Sequence, residues 1–159
     1  MDFLYDLLVI LFFILIVIVI TLRLRKRLLV IWKEVSIKEI IFHRLLSETI
    51  KLFYTKKELL KSEENRLAFI HLGRSRKKKM RYLLLQERQD LFQHIQDLFT
   101  EMEELNDEEL IPLKKQYKAL QKARRIYNSR VLLYNQTIHI FPTRHLAIKM
   151  NLKTKEYFG

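Results

Sequence analysis

The residues best suited to chemistry in this chain are its five histidines, His43, His71, His94, His139 and His145. A helical protein can hold a di-metal carboxylate centre when Glu-x-x-His pairs from facing helices meet. No glutamate lies three positions before any histidine, where the residues are Ile40, Ala68, Leu91, Gln136 and Pro142. The sequence also lacks the His-Glu-x-x-His pattern of zinc peptidases. We therefore predict no metal centre and interpret the histidines as scattered surface or half-buried side chains.

Other common catalytic constellations are missing as well. The chain has no cysteine, which excludes disulfides, thiolate metal sites and cysteine nucleophiles. Its two glycines, Gly73 and Gly159, are too few and too far apart for a phosphate-binding loop or a dinucleotide turn. The acidic residues within 101–109 are typical of a solvated turn and helix start, where they meet the positive end of a helix dipole. We predict a protein that is not an enzyme and uses no cofactor.

The charge of the chain is strongly positive. Asp2 and Asp6 are the only charged residues before Arg23, so residues 23–159 carry all 30 Lys and Arg and 16 of the 18 acids, a net charge of +14. Such a domain favours an anionic neighbour, although some chains are merely rich in lysine. The candidate contacts to a polyanion are Arg74, Arg76, Lys77, Lys78, Lys79 and Arg81. This run lacks interleaved aromatic residues for base stacking, so a solvated loop is favoured over a nucleic-acid site.

Two Tyr-Asn pairs, Tyr127-Asn128 and Tyr134-Asn135, lie seven residues apart and therefore share one face of a helix. Tyrosines at such positions are usually buried with the hydroxyl at the rim. The asparagines are candidates for fixing helix register through buried hydrogen bonds. Arg124, in the same stripe, would need an acidic partner if it were buried. A partner-binding groove is the alternative interpretation of these residues.

Long amphipathic helices must position these side chains. With only 2 Gly and 2 Pro, and with Leu, Lys, Glu and Arg abundant, the composition favours an all-α fold. Three segments have apolar residues at spacings of three and four, which indicates one buried stripe each. The first stripe contains Leu28, Ile31, Val35, Phe42, Leu45 and Leu52, then Leu60, Leu67 and Ile70. The second contains Leu84, Leu91, Ile95, Leu98, Met102 and Leu105. The third contains Leu110, Leu113, Tyr117, Leu120, Tyr127, Val131, Tyr134, Ile138 and Phe141.

Few residues interrupt these helices. Thr55 to Glu58 has capping-box spacing, which predicts a kink or a restart of the first helix. Gly73 is predicted to end a helix and residues 74–79 to form a charged loop. Asn106 and Asp107 are suited to begin the last long helix, and Pro142 ends it. The result is an antiparallel bundle of three long helices, or of four if Thr55 marks a hairpin. In the three-helix version the acidic turn at 101–109 returns to the membrane and lies beside Arg23–Arg27.

The N-terminal segment predicts a membrane anchor. Residues 7–20 are uninterrupted apolar residues, and the stretch from Phe3 to Leu22 is long enough to span about 30 Å of hydrocarbon. A cleaved signal peptide would carry a basic start and a small-residue cleavage site, and neither is present. Bases at 23, 25, 26 and 27 follow the span and none precedes it. The positive-inside rule therefore predicts the N-terminus outside and residues 23–159 in the cytoplasm.

The string from Ala123 to Phe158, ARRIYNSRVLLYNQTIHIFPTRHLAIKMNLKTKEYF, resembles the C-terminal pattern of the LemA family. Weaker likeness appears at Trp32, Val35 and Ile37 and at Glu48 to Lys51, whereas two other pieces of the family pattern have no counterpart. The resemblance implies a bacterial membrane-anchored helical bundle without known catalysis or cofactor. The residues that carry it, and that are candidates for interaction, are Arg124, Arg125, Tyr127, Asn128, Tyr134, Asn135, Phe141, Pro142, Tyr157 and Phe158.

These observations predict a transmembrane anchor over residues 1–22, a cytoplasmic antiparallel helical bundle over 23–142 and a C-terminal tail over 143–159 that packs on the bundle. The expected function is that of a LemA-like single-pass membrane protein acting as a non-catalytic scaffold or interaction module. Its expected partners are the lipid bilayer and either other proteins or further copies of itself. The alternative is a membrane-tethered binder of nucleic acid or another polyanion.

Overall fold

A computed structural model describes residues 2–60, 65–104 and 108–159, and every regular element in these ranges is a helix. Single 3-10 turns occur at Lys57–Leu60, Met80–Tyr82 and Glu108–Leu110. The prediction of an all-α chain is confirmed. Leu105, Asn106 and Asp107, which were expected to end one helix and begin the next, lie outside the described residues. The α-helices of the described residues are α1 (Asp2–Thr55), α2 (Arg66–Ser75), α3 (Leu85–Glu104), α4 (Ile111–His139) and α5 (Thr143–Lys149).

Helix α1 is continuous over 54 residues, which corresponds to a length of about 80 Å. Its first part, through Leu22, leaves apolar side chains exposed, as Leu15 at 60% illustrates. It is the one helix of the described chain that is long and apolar enough to cross a membrane. The predicted break at Thr55 is confirmed as the end of α1, where the Thr55 hydroxyl donates a hydrogen bond of 2.7 Å to the carbonyl oxygen of Leu52.

The chain divides into two compact units. The N-terminal unit comprises Met1–Ser36 and Arg130–Glu156, and the central unit comprises Ile37–Ser129 and Tyr157–Gly159. In the N-terminal unit, an ion pair of 3.1 Å joins Arg130 Nε to Glu34 Oε1. Its buried side chains come from α1, α4 and α5, and they are Leu28, Ile31, Val35, Val131, Tyr134, Ile138, Thr143 and Ala147.

The central unit buries apolar side chains from four helices. The second half of α1 contributes a stripe at spacings of three and four, α2 contributes two residues that pack near α3, and α3 and α4 contribute most of the rest. Its fully buried large side chains are Phe42, Leu46, Ile50, Phe53, Leu72, Phe92, Ile95, Leu98, Met102 and Phe158. Because Thr49 lies in the same stripe, its hydroxyl is buried and donates to the carbonyl oxygen of Leu45 at 2.7 Å.

The predicted buried stripes are confirmed over most of their length. The third stripe is buried from Leu110 to Ile138, but Phe141 is 76% exposed because α4 has already ended at His139. In α1 the buried residues after Phe42 are Leu46, Ile50 and Phe53 rather than Leu45 and Leu52. Leu84, Leu67 and Ile70 are exposed. Leu84 precedes the first residue of α3, and α2 turns Ala68 and Leu72 inward instead of Leu67 and Ile70.

The prediction for Gly73 is wrong. Helix α2 continues through Gly73 to Ser75, so residues 74 and 75 are helical rather than part of a loop. A Cβ atom at position 73 would lie 2.9 Å from Cε2 of Tyr54, and the guanidinium carbon of Arg76 lies 4.1 Å from the centre of the same ring. The glycine is therefore needed for the close approach of the Tyr54 ring to α2 rather than for a left-handed turn.

The C-terminal tail predicted over residues 143–159 begins with a short helix. Pro142 follows the end of α4, as expected, and residues 143–149 form α5. The Thr143 hydroxyl donates a hydrogen bond of 2.7 Å to the carbonyl oxygen of Ile140 and a second one to the carbonyl oxygen of Thr137. These bonds satisfy main-chain acceptors that α4 leaves open at its end, which explains why the chain re-enters a helix directly after the proline.

The predicted placement of the acidic turn beside Arg23–Arg27 stays a prediction. Within the central unit, the Glu109 carboxylate forms an ion pair of 2.7 Å with Lys56 Nζ, directly after the end of α1.

The contact between Gly73 and Tyr54 predicts an unusual pair of mutational effects. Gly73→Ala should lower the free energy of unfolding by about 1 kcal/mol, because overpacking of about 2 kcal/mol outweighs a gain in helix propensity of about 1 kcal/mol. In a Tyr54→Ala background the same substitution should stabilise by about 1 kcal/mol. Thermal unfolding of the full chain in detergent micelles, followed by circular dichroism, measures both. Stabilisation by Gly73→Ala in both backgrounds would contradict the close approach.

Candidate functional site

In the central unit, the C-terminal residues are bound by a side chain of α4. Asn128 Nδ2 donates to the carbonyl oxygen of Phe158 at 2.8 Å, and Asn128 Oδ1 accepts from the Phe158 main-chain N–H at 2.9 Å. One amide side chain thus pairs with both main-chain groups of one residue, as a neighbouring strand would. This is needed because residues 152–159 have no regular secondary structure to satisfy their own main chain.

The ring of Phe158 is the buried end of that attachment. It is 1% exposed and meets the rings of Phe42 and Phe92 edge-on, with centroid distances of 4.5 Å and 5.6 Å. Phe42 in turn stacks on Tyr127 at 6.0 Å with nearly parallel planes. Edge-on and offset-stacked arrangements are the favourable geometries for aromatic pairs. Helices α1, α3 and α4 of the central unit therefore share one aromatic cluster that is centred on a residue of the C-terminal segment.

In the N-terminal unit, Asn135 performs the same pairing with Lys155. Its Nδ2 donates to the Lys155 carbonyl oxygen at 2.8 Å and its Oδ1 accepts from the Lys155 main-chain N–H at 2.9 Å. The hydroxyl of Tyr134 donates to the carbonyl oxygen of Lys153 at 2.8 Å. Burial raises the pKa of the Tyr134 hydroxyl above its usual range, so this donor keeps its proton at neutral pH.

Arg124 is half-buried and has partners other than the acid that was expected. Its guanidinium carbon lies 4.7 Å from the centre of the Phe92 ring, and Nη1 donates to the carbonyl oxygen of Gly159 at 3.1 Å. A guanidinium group is weakly hydrated and stacks readily on aromatic faces, so this position does not require a carboxylate. The observed partners of Arg124 are therefore an aromatic ring and a main-chain oxygen, and not the acidic side chain that was expected.

Four of the residues that carry the family resemblance do not join these contacts. Arg125, Phe141 and Pro142 are exposed, and Tyr157 is 43% exposed. The other six bind or bury the C-terminal segment, so their observed contacts are within the chain. The asparagines were expected to bond between helices, but they bond to the extended segment instead.

A second feature of the central unit is a groove of about 540 Å³ between α1 and the 3-10 turn at Met80, which we call the basic groove. Among the described residues that line it, the basic ones are His43, Arg44, Lys51, Lys79 and Arg81, and the one carboxylate is Glu48. Arg44 and Glu48 are 3.9 Å apart, at the outer limit of an ion pair. The remaining linings are Ile40, Ser47 and Met80. The groove therefore has an excess of positive charge over an apolar floor.

The structure separates the predicted polyanion contacts into two groups. Lys79 and Arg81 line the basic groove, whereas Arg74, Lys77 and Lys78 are exposed outside it and Arg76 stacks on Tyr54. The Arg81 side chain is held by Tyr82, since Nη2 donates to the Tyr82 hydroxyl at 2.7 Å. Sequence reasoning missed Arg44 and Lys51. Their spacing of seven residues on one face of α1 was the available signal, but it does not reveal which loop faces them.

Two of the histidine pairings were also missed. His43 Nε2 contacts Arg88 Nη1 beside the basic groove. The rings of His71 and His94 lie 5.1 Å apart between α2 and α3. Over residues 2–60, 65–104 and 108–159, no group of three or more His, Cys, Asp or Glu side chains converges to hold a metal ion.

No family model, curated protein sequence or solved structure matches this chain. The likeness of its C-terminal residues to the LemA family remains a prediction from the sequence.

The Asn128 pairing predicts that a single change from amide to carboxylate is costly. Asn128→Asp replaces the donor with an acceptor that faces the Phe158 carbonyl oxygen, and this should lower the free energy of unfolding by about 1–3 kcal/mol. Hydrogen exchange of the Phe158 amide should accelerate in the same variant. The matched control is Gln136→Glu on the exposed side of α4, which should change stability by less than about 0.5 kcal/mol. Equal effects of the two substitutions would contradict the proposed role of the pairing.

Proposed function

We propose that this chain is a LemA-like single-pass membrane protein whose helical region acts as a non-catalytic scaffold or interaction module on the cytoplasmic side. The observation that carries the proposal is α1. Its apolar N-terminal part has exposed side chains such as Leu15 and Ile18, and the same helix continues without a break to Thr55. An unpacked apolar surface of this length is stable in a bilayer, and a continuous helix transmits the position of the anchor to the folded part.

The direction of insertion follows from charge. Arg23, Arg25, Lys26 and Arg27 are exposed immediately after the span, and no base precedes it. Cytoplasmic flanks of membrane helices carry such an excess of basic residues. A cleaved signal sequence is the competing interpretation of the apolar segment. The uninterrupted passage of α1 into buried positions from Leu28 onward favours an anchor that stays attached.

We further propose that the helices pack as an antiparallel bundle. In the N-terminal unit, the ion pair of Glu34 with Arg130 fixes one level of α1 and α4. The residues of α1 that this unit buries, at 28, 31 and 35, lie at that level and toward the membrane. An α4 that runs from Arg130 toward Leu28 would cover all three. This direction is opposite to that of α1.

The scaffold role is supported by how the chain uses its most specific residues. Arg124, Asn128 and Asn135 bind the extended C-terminal segment rather than converge on a reaction centre. A LemA-like identity rests on the same residues, since they are the ones that carry the resemblance. Rigid helices of this kind offer long surfaces to partner proteins or to further copies of the chain.

The proposal predicts the outcome of an in-cell experiment with two readouts. A tagged chain should retain its first 22 residues by mass spectrometry, and a single cysteine replacing Phe3 should react with an impermeant maleimide in intact cells. A cysteine replacing Lys77 should react only after lysis. Cross-linking before detergent extraction should then give a short, reproducible set of partner proteins or of self-linked copies.

The chain is convenient for this test because it has no cysteine of its own. Loss of the first residues would identify a signal sequence and contradict the anchor. Reaction of the two cysteines in the reverse order would contradict the orientation. Cross-links that are diffuse and vary between repeats would contradict the scaffold role while leaving the anchor intact.

The basic groove favours a second candidate function, the binding of nucleic acid or another polyanion. Around one concavity, beside the Glu48 carboxylate, lie four guanidinium or ammonium groups, those of Arg44, Lys51, Lys79 and Arg81. Phosphates bound there would release counterions, so the affinity would fall steeply with salt. The described residues that line the groove include no Phe, Tyr or Trp for base stacking, which favours contact to backbone phosphates without sequence preference.

A charge-matched pair of variants tests this second function. Full-length protein in detergent micelles is titrated with a labelled 20-nucleotide single-stranded RNA at several salt concentrations. Replacing Lys51, Lys79 and Arg81 by glutamine should reduce the slope of log affinity against log salt by about 2. Replacing Arg74, Lys77 and Lys78 removes the same charge outside the groove and should reduce the slope by less than 1. Equal slopes for the two variants would mean that overall charge, rather than the groove, attracts the RNA.

A further inference from the structure

We propose that a second surface of the N-terminal unit contacts the bilayer that α1 crosses. This surface, which we call the α5 surface, binds anionic phospholipid headgroups and the outermost part of the acyl chains. The inference rests on the proposed membrane anchor and adds a specific lipid-binding site to it. The residues of the α5 surface are Ile140, Phe141, Arg144, Ile148 and Lys149.

The apolar residues of this surface are unusually exposed. Ile140 is 61%, Phe141 76% and Ile148 67% exposed. Helix α5 buries its opposite side through Thr143 and Ala147, which are 7% and 2% exposed. The small side chains of α5 are thus buried, whereas Ile148 of α5 and Ile140 and Phe141 of the turn before it are exposed. Several exposed large apolar side chains close together in the chain mark a contact surface more clearly than isolated ones do.

The ion pair of Glu34 with Arg130 sets the level of this surface along α1. Within the N-terminal unit, the buried residues of α1 are Leu28, Ile31 and Val35, and nothing between Phe3 and Arg27 is buried. In the antiparallel packing proposed above, α4 leaves Arg130 in the direction of Leu28. Its end at His139 and the following Ile140 and Phe141 lie toward the apolar span.

The distance that remains to the span is short. From Glu34 to Leu22, α1 rises about 18 Å, and from Arg130 to His139, α4 advances about 13.5 Å. The end of α4 is thus level with a point about 4–5 Å from the last apolar residue of the span. The headgroup layer on each side of a bilayer is about 5–7 Å thick. Ile140 and Phe141 continue from the end of α4 into that layer.

Charge on the same unit identifies the lipid. Arg144 and Lys149 are exposed on α5 beside Ile148. On α1, Arg23, Arg25, Lys26 and Arg27 are exposed at the same level. Clusters of bases close to a membrane helix attract anionic headgroups, and aromatic or aliphatic side chains between them insert at the boundary of the acyl region. A surface meant for another protein would not need to lie at this depth.

The experiment uses single-cysteine variants of the full chain, labelled with an environment-sensitive nitrobenzoxadiazole dye. The chains are reconstituted into vesicles of phosphatidylcholine and phosphatidylglycerol at 3:1 with and without a lipid-borne quencher. The α5 surface is probed at Phe141 and Ile148, and Leu15 reports on the span itself. Leu67 in α2 is the matched control, because it is 63% exposed and apolar but belongs to the central unit.

We expect strong quenching at 15, clear quenching with a blue-shifted emission at 141 and 148, and little of either at 67. Quenching at 148 should fall at least twofold when Arg144 and Lys149 are both replaced by glutamine, and also when Phe141 is replaced by serine. In vesicles of phosphatidylcholine alone, the double glutamine substitution should have no such effect.

Four other results would contradict the lipid contact, and each identifies a different cause. Quenching at 15 with aqueous probes at 141 and 148 overturns the α5 surface and leaves the anchor. An aqueous probe at 15 overturns the anchor and this inference together. A blue shift at 141 without lipid quenching, increasing with protein density, means that a second copy covers the surface and overturns the lipid contact. Equal quenching at 67 means nonspecific adsorption and overturns it as well.

Discussion

The burial of Phe158 is the constraint on which most of the central unit depends. A phenylalanine in an extended segment can be buried only if the main chain beside it finds hydrogen-bond partners. Asn128 supplies both partners, and this allows the ring to reach Phe42 and Phe92. Helices from distant parts of the sequence are thereby joined to residues at the C-terminal end. The same solution recurs in the N-terminal unit, where Asn135 binds Lys155.

Helix α1 meets two different environments along one continuous backbone. Through Leu22 its apolar side chains are exposed on all sides, whereas from Leu28 onward only one stripe is buried. A helix that is apolar on all sides is stable in lipid, whereas a helix with one apolar stripe is stable when that stripe packs against protein. The change of pattern therefore marks where a bilayer would end. The four bases at 23–27 lie at that change. The proposed anchor, its proposed orientation and the proposed lipid contact of the α5 surface are all argued from this transition.

Only some of the basic residues of the domain lie where they can bind one anion together. Tertiary packing places Lys79 and Arg81 in the same groove as Arg44 and Lys51, whereas the Arg76 guanidinium group stacks on the Tyr54 ring. A basic run in the sequence is thus divided into residues that can act together on one anion and residues that only contribute to the overall field. The proposed polyanion binding and the proposed lipid contact use different residues, because the groove belongs to the central unit and the α5 surface to the N-terminal unit.

The sequence by itself determined the helices, most of their buried stripes, the ends near Thr55 and Pro142 and the apolar span. These follow from local rules, since periodicity reports which face of a helix is buried and proline stops main-chain hydrogen bonding. Tertiary structure alone decided that Gly73 serves Tyr54, that the asparagines bind the C-terminal segment and that Arg44 faces Lys79. It also decided that residues 143–149 are helical and that Phe141 is exposed. A hydrophobic pattern states that a residue must be covered or bonded, but the partner is set by the path of the whole chain.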